Sequence, residues 1–162
     1  MEFDKAVEYI LNEEGGYVWD KVDPGGETNF GISKRAYPKE DIKNMTRERA
    51  KFLYKRDYWD KVKAEQLPKD LRLPVFDFAV NAGVSRAIKL LQKLSGVKQD
   101  GIIGPITIQA ANLVSPYDYK LGRLDYYSSL VSNNPKLSRF IKGWTNRTNR
   151  IYNLTISEDR IA

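Results

Sequence analysis

The chain has 162 residues, of which 27 are lysine or arginine and 21 are aspartate or glutamate, so its net charge is +6. This length suits one compact domain, or two small lobes, with a core that needs no disulfides. The sequence has neither cysteine nor histidine, which excludes thiolate nucleophiles, Ser-His-Asp triads and zinc sites built from those residues. Catalysis would therefore depend mainly on carboxylates. The positive charge favours an anionic partner, or is simply a mildly basic surface.

The amino terminus does not resemble a secretion signal. Residues 1–5 are acidic and amphipathic, whereas a signal peptide has a basic stretch followed by an apolar run. No segment contains the roughly 20 apolar residues that a membrane-spanning helix needs. We therefore expect the chain to be made and held in a cytoplasm, from which a partner must release it if its substrate lies elsewhere.

The first part of the chain predicts a helix followed by a short β element. Apolar residues from Phe3 to Leu11 recur at the spacing of one helix face, and the glycines at positions 15 and 16 are expected to close this helix. From Tyr17 to Ser33 the pattern changes to turn residues between short aromatic and β-branched pieces. This segment predicts a small hairpin or an ordered loop.

The rest of the chain predicts further helices. One starts after Thr46 as N-cap and carries Tyr58 on its apolar side, and Pro68 and Pro74 are expected to interrupt the chain after it. Residues 75–84 are apolar nearly all round, which is typical of a buried central helix. The helical pattern continues to residue 97. Residues 100–105 then predict a turn between helices rather than a phosphate loop, since no Gly-Lys-Ser/Thr follows them. Amphipathic helices at about 116–131 and 135–152, and a polar tail after about Leu154, complete a mainly α fold.

The first helix places one carboxylate in an unusual position. At about 100° per residue, Glu14 lies about 20° from Phe3 around the axis, on the stripe that faces the core, whereas Glu13 lies about 80° away. Apolar surroundings disfavour the charged form of a carboxyl group, and a protonated acid is what a leaving oxygen needs. The alternative is that Glu14 is the solvated last residue of the helix, although an acidic residue is unfavourable at that end of the helix dipole.

Asp23 and Thr28 follow Glu14 across a glycine-rich turn that can fold back over the helix end. A second carboxylate set apart from the acid leaves room for a water molecule on the opposite face of a sugar ring, and a threonine hydroxyl can help to orient that water. Taken singly, Asp23 is typical of a residue that starts a Pro-Gly turn, and Thr28 is typical of a strand. Together with Glu14 they form a candidate catalytic trio.

A series of short motifs runs along nearly the whole chain. The first are Glu-Gly-Gly-Tyr at 14–17, Asp-Pro-Gly-Gly at 23–26 and Thr-Asn-Phe-Gly-Ile at 28–32. They are followed by Tyr-Trp at 58–59, Asp-Phe-Ala-Val-Asn-Ala-Gly at 77–83, Asp-Gly-Ile-Ile-Gly-Pro at 100–105, and Gly-Trp and Asn-Arg at 143–147. The chain thereby resembles glycoside hydrolase family 108, the N-acetylmuramidases found among phage endolysins. Its last two motifs resemble the peptidoglycan-binding region that accompanies this family.

This resemblance implies a mainly α, lysozyme-like fold with a catalytic lobe over residues 1–86 and a peptidoglycan-binding-like helical lobe over residues 87–162. It implies that Glu14 is the catalytic general acid. The trio of Glu14, Asp23 and Thr28 is also similar to that of phage-type lysozymes, in which the gap from aspartate to threonine is one residue longer. The implied activity is hydrolysis of the β-1,4 bond between N-acetylmuramic acid and N-acetylglucosamine in peptidoglycan, without a cofactor. The implied role is that of an endolysin held in the host cytoplasm until lysis.

Aromatic and amide side chains supply the candidate substrate contacts. Sugar rings stack on aromatic faces, and polar groups fix their orientation. Core packing is the alternative for each aromatic residue, and Asn81, in an otherwise apolar helix, could instead tie down a neighbouring loop. The predicted substrate-binding residues are Tyr17, Asn29, Tyr58, Trp59, Asn81 and Trp144.

The carboxyl-terminal segment predicts a basic face. Such a face would concentrate the protein on peptidoglycan carboxylates or on outer-membrane phosphates. A solvated helix face is the alternative. The residues concerned are Lys136, Arg139, Lys142, Arg147 and Arg150.

Three other functions fit parts of the sequence. A lytic transglycosylase would use one catalytic acid, with the muramic 6-hydroxyl in place of water. A non-catalytic wall-binding or secretion-assisting protein would bind sacculi without releasing soluble products. Nucleic-acid binding rests on charge alone, and no recognised motif supports it. We therefore predict a muramidase that acts as a monomer on peptidoglycan glycan strands, with no nucleic-acid partner.

Overall fold

The computed structural model describes residues 1–19 and 26–161, and its contacts divide the chain into two compact units. The amino-terminal unit is Glu2–Asp57. The carboxyl-terminal unit runs from Tyr58 onward and includes Met1. The predicted mainly α fold with a small β element after the first helix is confirmed. The predicted boundary between two lobes at residue 86 remains a prediction. Residue 86 lies within a helix of the carboxyl-terminal unit.

The first helix of the amino-terminal unit, α1, is Phe3–Glu13, and its apolar face is buried as predicted. The buried side chains are Ala6, Val7, Ile10 and Leu11, whose spacing brings them to one side of the helix. The expected glycine C-cap is wrong, because Glu14 is the C-cap and has an extended backbone (φ −91°, ψ 147°). The chain therefore leaves the helix without a left-handed residue.

A three-stranded antiparallel sheet follows α1. Its strands are β1 (Val18–Trp19), β2 (Glu27–Asn29) and β3 (Ile32–Ser33), with β2 in the middle. Val18 pairs with Thr28, and Asn29 pairs with Ile32. Because only two residues separate β2 from β3, they form a tight hairpin.

The last helix of this unit, α2, is Arg47–Tyr54. The hydroxyl of Thr46 accepts a hydrogen bond from the backbone N–H of Arg49 at 3.1 Å, which confirms Thr46 as the N-cap. The α-helix ends before Tyr58, because the chain widens into a π-helical turn at Lys55–Trp59.

In the carboxyl-terminal unit, a short 3₁₀ turn at Ala64–Gln66 leads into α3, Lys69–Ala82, which is the predicted buried central helix. The expected break at Pro74 is wrong: Pro74 lies inside α3 and is itself buried. A proline removes one helical hydrogen bond at a cost of about 3 kcal/mol, and the burial of the apolar side chains around it offsets that cost. They include Leu71, Leu73, Val75, Phe76, Phe78 and Ala79.

Helix α4, Val84–Ser95, starts immediately after Gly83, whose φ of 103° redirects the chain. A turn then leads to α5, Pro105–Ala110, with the proline in its first turn. The buried amide of Gln92 fixes this turn, since its nitrogen lies 2.9 Å from Asp100 Oδ1 and its oxygen accepts from the Gly101 N–H at 3.0 Å. The predicted turn between helices at residues 100–105 is confirmed.

Two long helices complete the unit. After a 3₁₀ turn at Ala111–Leu113, α6 is Pro116–Asn133, capped by Ser115, and a 3₁₀ segment at Pro135–Phe140 leads into α7, Ile141–Ile161. The predicted polar tail after Leu154 is wrong, because α7 continues for two more turns and buries Thr155. In the part of the chain that the structure describes, none of the helices is long and apolar enough to cross a membrane.

Candidate active site

Glu14 is positioned by the end of α1 and by the β2–β3 hairpin. Its backbone N–H still donates to the Ile10 carbonyl oxygen at 3.1 Å, but the extended backbone takes the residue off the helical wheel on which its inward orientation was predicted. Its side chain is half-buried and packs against Gly31. The hairpin therefore forms part of the surroundings of this carboxyl group.

The hairpin turn consists of Phe30 and Gly31, both in the left-handed region with φ of 53° and 76°. Two left-handed residues between paired strands match the twist of a β-hairpin. The hydroxyl of Tyr54 donates to the Phe30 carbonyl oxygen at 2.6 Å and so fixes the turn to α2. A Cβ atom at Gly31 would lie 2.7 Å from Glu14 Cγ and 2.9 Å from Glu14 Cδ, and would overlap the Tyr54 hydroxyl. Glycine at this position is what allows the carboxyl group to occupy its place.

If Glu14 is the catalytic acid that the family resemblance implies, Gly31→Ala should reduce activity by roughly 10- to 100-fold, because a 1 Å displacement of a reacting group costs rates of that order. Its methyl group would displace the Glu14 carboxyl group. The measurement is the rate of release of soluble fragments from purified peptidoglycan. The matched control is Gly96→Ala, which has the same left-handed φ of 76° but no atom of the described residues within 4 Å of its Cβ. Equal losses in the two variants would show that backbone strain, and not the contact with Glu14, causes the effect.

Thr28 and Asn29 are neighbours on β2 and therefore point to opposite faces of the sheet. Thr28 is half-buried in the centre of the sheet, between Val18 and Ser33. Asn29 is buried, and its amide nitrogen donates to the Ile42 carbonyl oxygen at 3.1 Å. The contact that Asn29 makes here is with the protein backbone, and its predicted contact with substrate remains a prediction. Asp23 lies outside the described residues.

The sheet presents an exposed aromatic surface that the motifs only partly indicated. Tyr17, a predicted substrate contact, is 39% exposed, and its hydroxyl donates to Glu27 Oε2 at 2.7 Å. This hydrogen bond raises the pKa of Tyr17. Trp19, which pairs with Glu27 across the strands, is 60% exposed. Sequence reasoning missed both Trp19 and Glu27, although two aromatic residues two positions apart at the start of a predicted β element are a signal for one aromatic face.

The four remaining predicted substrate contacts lie in the carboxyl-terminal unit. Trp59 is fully buried and packs edge-on against Phe76, with ring centroids 5.2 Å apart, so its indole lies in the core. This is the core alternative considered for the aromatic residues, and a fully buried ring offers no face to a sugar. Tyr58, in the same π-helical turn, is half-buried.

Asn81 and Trp144 are brought together through Tyr127. The Tyr127 hydroxyl donates to Asn81 Oδ1, and the ring of Tyr127 stacks on Trp144 with centroids 4.9 Å apart and an interplanar angle of 18°. Trp144 also stacks on Phe140 at 5.6 Å. Asn81 thus ties α3 to α6, which is close to the structural alternative predicted for it, and its role in binding substrate remains a prediction.

A buried ion cluster lies beside this group, and no site prediction included it. Asp77 on α3 is fully buried and forms 2.8 Å ion pairs with Arg123 of α6 and Arg147 of α7. Burial raises the pKa of Asp77, but the charges of Arg123 and then Arg147 outweigh burial and hold the pKa below its ordinary value. Arg147 was predicted on a basic outer face. That assignment is wrong, because its guanidinium group points inward to neutralise this carboxylate.

The depressed pKa of Asp77 predicts a loss of stability in acid. A carboxyl group whose folded pKa lies below its unfolded value, about 3.9, stabilises the fold above that value, and the contribution is lost as pH falls through the folded pKa. We expect the free energy of unfolding of the wild type to fall more steeply than that of Asp77→Asn between about pH 5 and about pH 2. Urea unfolding at each pH measures both slopes. Parallel slopes would contradict the assignment of this contribution to Asp77.

Comparisons with known proteins agree with this architecture. Residues 7–83 match the family model described as glycosyl hydrolase 108, and residues 86–149 match the one described as a predicted peptidoglycan domain. A solved structure described as that of Brucella abortus SagA is 34% identical in sequence, and the alignment covers 96% of this chain and 94% of that chain with a TM-score of 0.82. No match is found among curated proteins.

Proposed function

Because this chain belongs to the glycosyl hydrolase 108 family, we propose that it is an N-acetylmuramidase that hydrolyses the β-1,4 bond between N-acetylmuramic acid and N-acetylglucosamine. The family and the peptidoglycan domain make the chain a cell-wall-acting glycosidase. The observation that supports the finer proposal is the position of Glu14, half-buried against a glycine that no other residue could replace without a collision.

In the proposed reaction, Glu14 donates a proton to the glycosidic oxygen as the bond to the muramic carbon breaks. The sugar then carries oxocarbenium-like positive charge. Asp23 either stabilises this charge or acts as a base that activates a water molecule to attack the charged carbon. The hydroxyl of Thr28 holds that water. One molecule of water is consumed: its hydroxyl becomes the reducing-end hydroxyl of the muramic residue, and its remaining proton restores the carboxyl group of Glu14, directly or by way of Asp23. Tyr54 acts as a positioning residue through the Phe30–Gly31 turn.

The exposed ring of Trp19 supports a second element of the proposal, a stacking surface for a sugar of the glycan strand. We expect Trp19→Ala to raise KM by roughly tenfold with little change in kcat, because an interaction made equally with substrate and transition state contributes to binding alone. Initial rates on soluble glycan chains over a range of concentrations separate the two constants. Trp19→Phe retains an aromatic face and should retain most of the affinity. A fall in kcat at unchanged KM would contradict the stacking role.

The products distinguish the proposed activity from its rivals. Purified sacculi are digested, and the soluble fragments are identified by mass spectrometry. Hydrolysis leaves N-acetylmuramic acid at reducing ends, whereas a lytic transglycosylase would leave 1,6-anhydro ends. Release of N-acetylglucosamine at the reducing end, or binding without any release, would refute the muramidase.

We also propose that the protein acts as an endolysin, held in the host cytoplasm until the membrane is opened. The resemblance to phage endolysins supports this role. Expression in the bacterial cytoplasm should leave cells intact, whereas the same protein should lyse them once the membrane is permeabilised. Lysis without permeabilisation would contradict the proposed route.

A further inference from the structure

A second site candidate lies in the carboxyl-terminal unit, between α4 and α6. The two helices enclose a groove of about 620 Å³, which is within the size range of ligand-binding pockets. Leu90 closes its bottom, and α6 approaches closely because residue 122 is a glycine, at which a Cβ would lie 2.6 Å from Leu90 Cδ1. Leu94 and Leu121 add apolar surface that is partly exposed. None of these residues belongs to the catalytic site proposed above.

The two walls of this α4–α6 groove carry opposite charges. Arg86, Lys89 and Lys93 line it from α4 at spacings of three and four residues, which place them on one helix face. Asp118 and Asp125 line it from α6 and are seven residues apart, again on one face. None of these five side chains forms an ion pair with any residue that the structure describes. Both walls can therefore offer their charges to a ligand.

The charge pattern distinguishes between the parts of peptidoglycan. The hydroxyls of a neutral sugar could form hydrogen bonds with either wall, but they would leave the charges of both walls without opposite charges. A polyanion would be repelled by Asp118 and Asp125. A short peptide that carries both carboxylates and a free amine matches both walls. The outer charges of each wall are seven residues apart, about 10 Å along a helix, which is the length of about three extended peptide residues.

We propose that the α4–α6 groove binds the stem peptide of peptidoglycan, with its carboxylates against the basic wall and the free amine of its diamino acid against the acidic wall. The proposal rests on the cell-wall function proposed above and names the part of the polymer that this unit recognises. The glycan is then cleaved by one unit while the attached peptide is held by the other. The groove should favour wall segments that carry their peptides over bare glycan chains.

The test is calorimetric titration of the full chain with a synthetic stem peptide of alanine, γ-linked glutamate, a diamino acid and alanine. Lys89→Glu with Lys93→Glu should weaken binding at least tenfold. The matched control is Lys39→Glu with Lys43→Glu, an equal charge change at exposed positions outside the groove, which should change affinity less than twofold. Equal weakening by both pairs would show attraction by net charge and would overturn the proposal.

A second probe tests the acidic wall. Acetylation of the diamino acid removes the positive charge of the peptide, and the wild type should bind the acetylated peptide at least fivefold more weakly than the free one. Asp118→Asn with Asp125→Asn should lose this preference. A wild type that binds neither peptide at millimolar concentration, or that makes no distinction between them, overturns the proposal.

The two proposals fail separately. The stem peptide contains no glycosidic bond, so its binding does not depend on catalysis, and bare glycan chains contain no peptide, so their cleavage by the wild type does not depend on the groove. Peptide binding without cleavage of bare glycan would refute the muramidase and leave the groove assigned. Cleavage of bare glycan without peptide binding would refute the peptide-binding role of the groove and leave the muramidase supported.

Discussion

Glu14→Gln is expected to lower the rate of peptidoglycan hydrolysis by roughly 10²- to 10⁴-fold, the range that general acid catalysis contributes. The amide has nearly the shape of the carboxyl group, so it should fit beside Gly31 as Glu14 does, but it has no proton to give to a leaving oxygen. The expected signature is a fall in kcat with little change in KM, since the interaction is made in the transition state. Initial rates on soluble glycan chains measure both constants.

The matched control is Glu13→Gln, one residue earlier. Glu13 is the last residue of α1, is also half-buried, and loses the same charge on substitution. It should retain activity within a factor of about two, because the proposed reaction draws its proton from the Glu14 carboxyl group and not from Glu13. Thermal unfolding of both variants establishes that they are folded. Wild-type turnover in a folded Glu14→Gln variant, or an equal loss in Glu13→Gln, would remove Glu14 from the mechanism.

Asp77→Asn is expected to lower the free energy of unfolding by about 3–5 kcal/mol, the usual cost of removing one partner from a buried ion pair. The neutral amide would remove the carboxylate charge that both guanidinium groups share, where Arg123 is almost completely buried and Arg147 nearly so. Helices α3, α6 and α7 meet at this carboxylate, so the loss affects the centre of the carboxyl-terminal unit. Urea unfolding followed by circular dichroism gives the free energy.

The control for this change is Asp125→Asn on α6, an exposed aspartate without an ion pair to the residues that the structure describes. It should change the free energy by no more than about 0.5 kcal/mol. Replacing all three charged residues by apolar ones of similar volume should recover part of the loss, because the desolvation of the ions is then removed as well. A cost below about 1 kcal/mol for Asp77→Asn, the range of an exposed pair, would contradict the proposed importance of the cluster.

The sequence predicted helices most reliably where one apolar face is repeated, as in α1. It failed where tertiary packing outweighed a local preference. Pro74 usually ends a helix, yet α3 continues through it because the surrounding side chains are buried on all sides. Arg147 belongs to a basic segment but pairs with an aspartate 70 positions away, and no local pattern contains that partner.

The candidate site was predictable in part for similar reasons. The motif residue Glu14 could be singled out from the sequence, but the contact that positions it depends on the φ angles of Phe30 and Gly31 and on the approach of Tyr54. Trp19 and Glu27 lie in short strands whose pairing register decides which side chains are exposed. Such registers depend on the tertiary fold, which residue spacing alone does not specify.

The most direct test of the proposed mechanism is digestion of purified peptidoglycan in water enriched in oxygen-18, with mass spectrometry of the fragments. We predict that the wild type incorporates one labelled oxygen into each new reducing-end N-acetylmuramic acid, that Glu13→Gln does the same, and that Glu14→Gln forms such ends at least 10²-fold more slowly. Unlabelled anhydro ends, label on N-acetylglucosamine, or undiminished labelling by Glu14→Gln would contradict hydrolysis of the muramic bond with Glu14 as the acid.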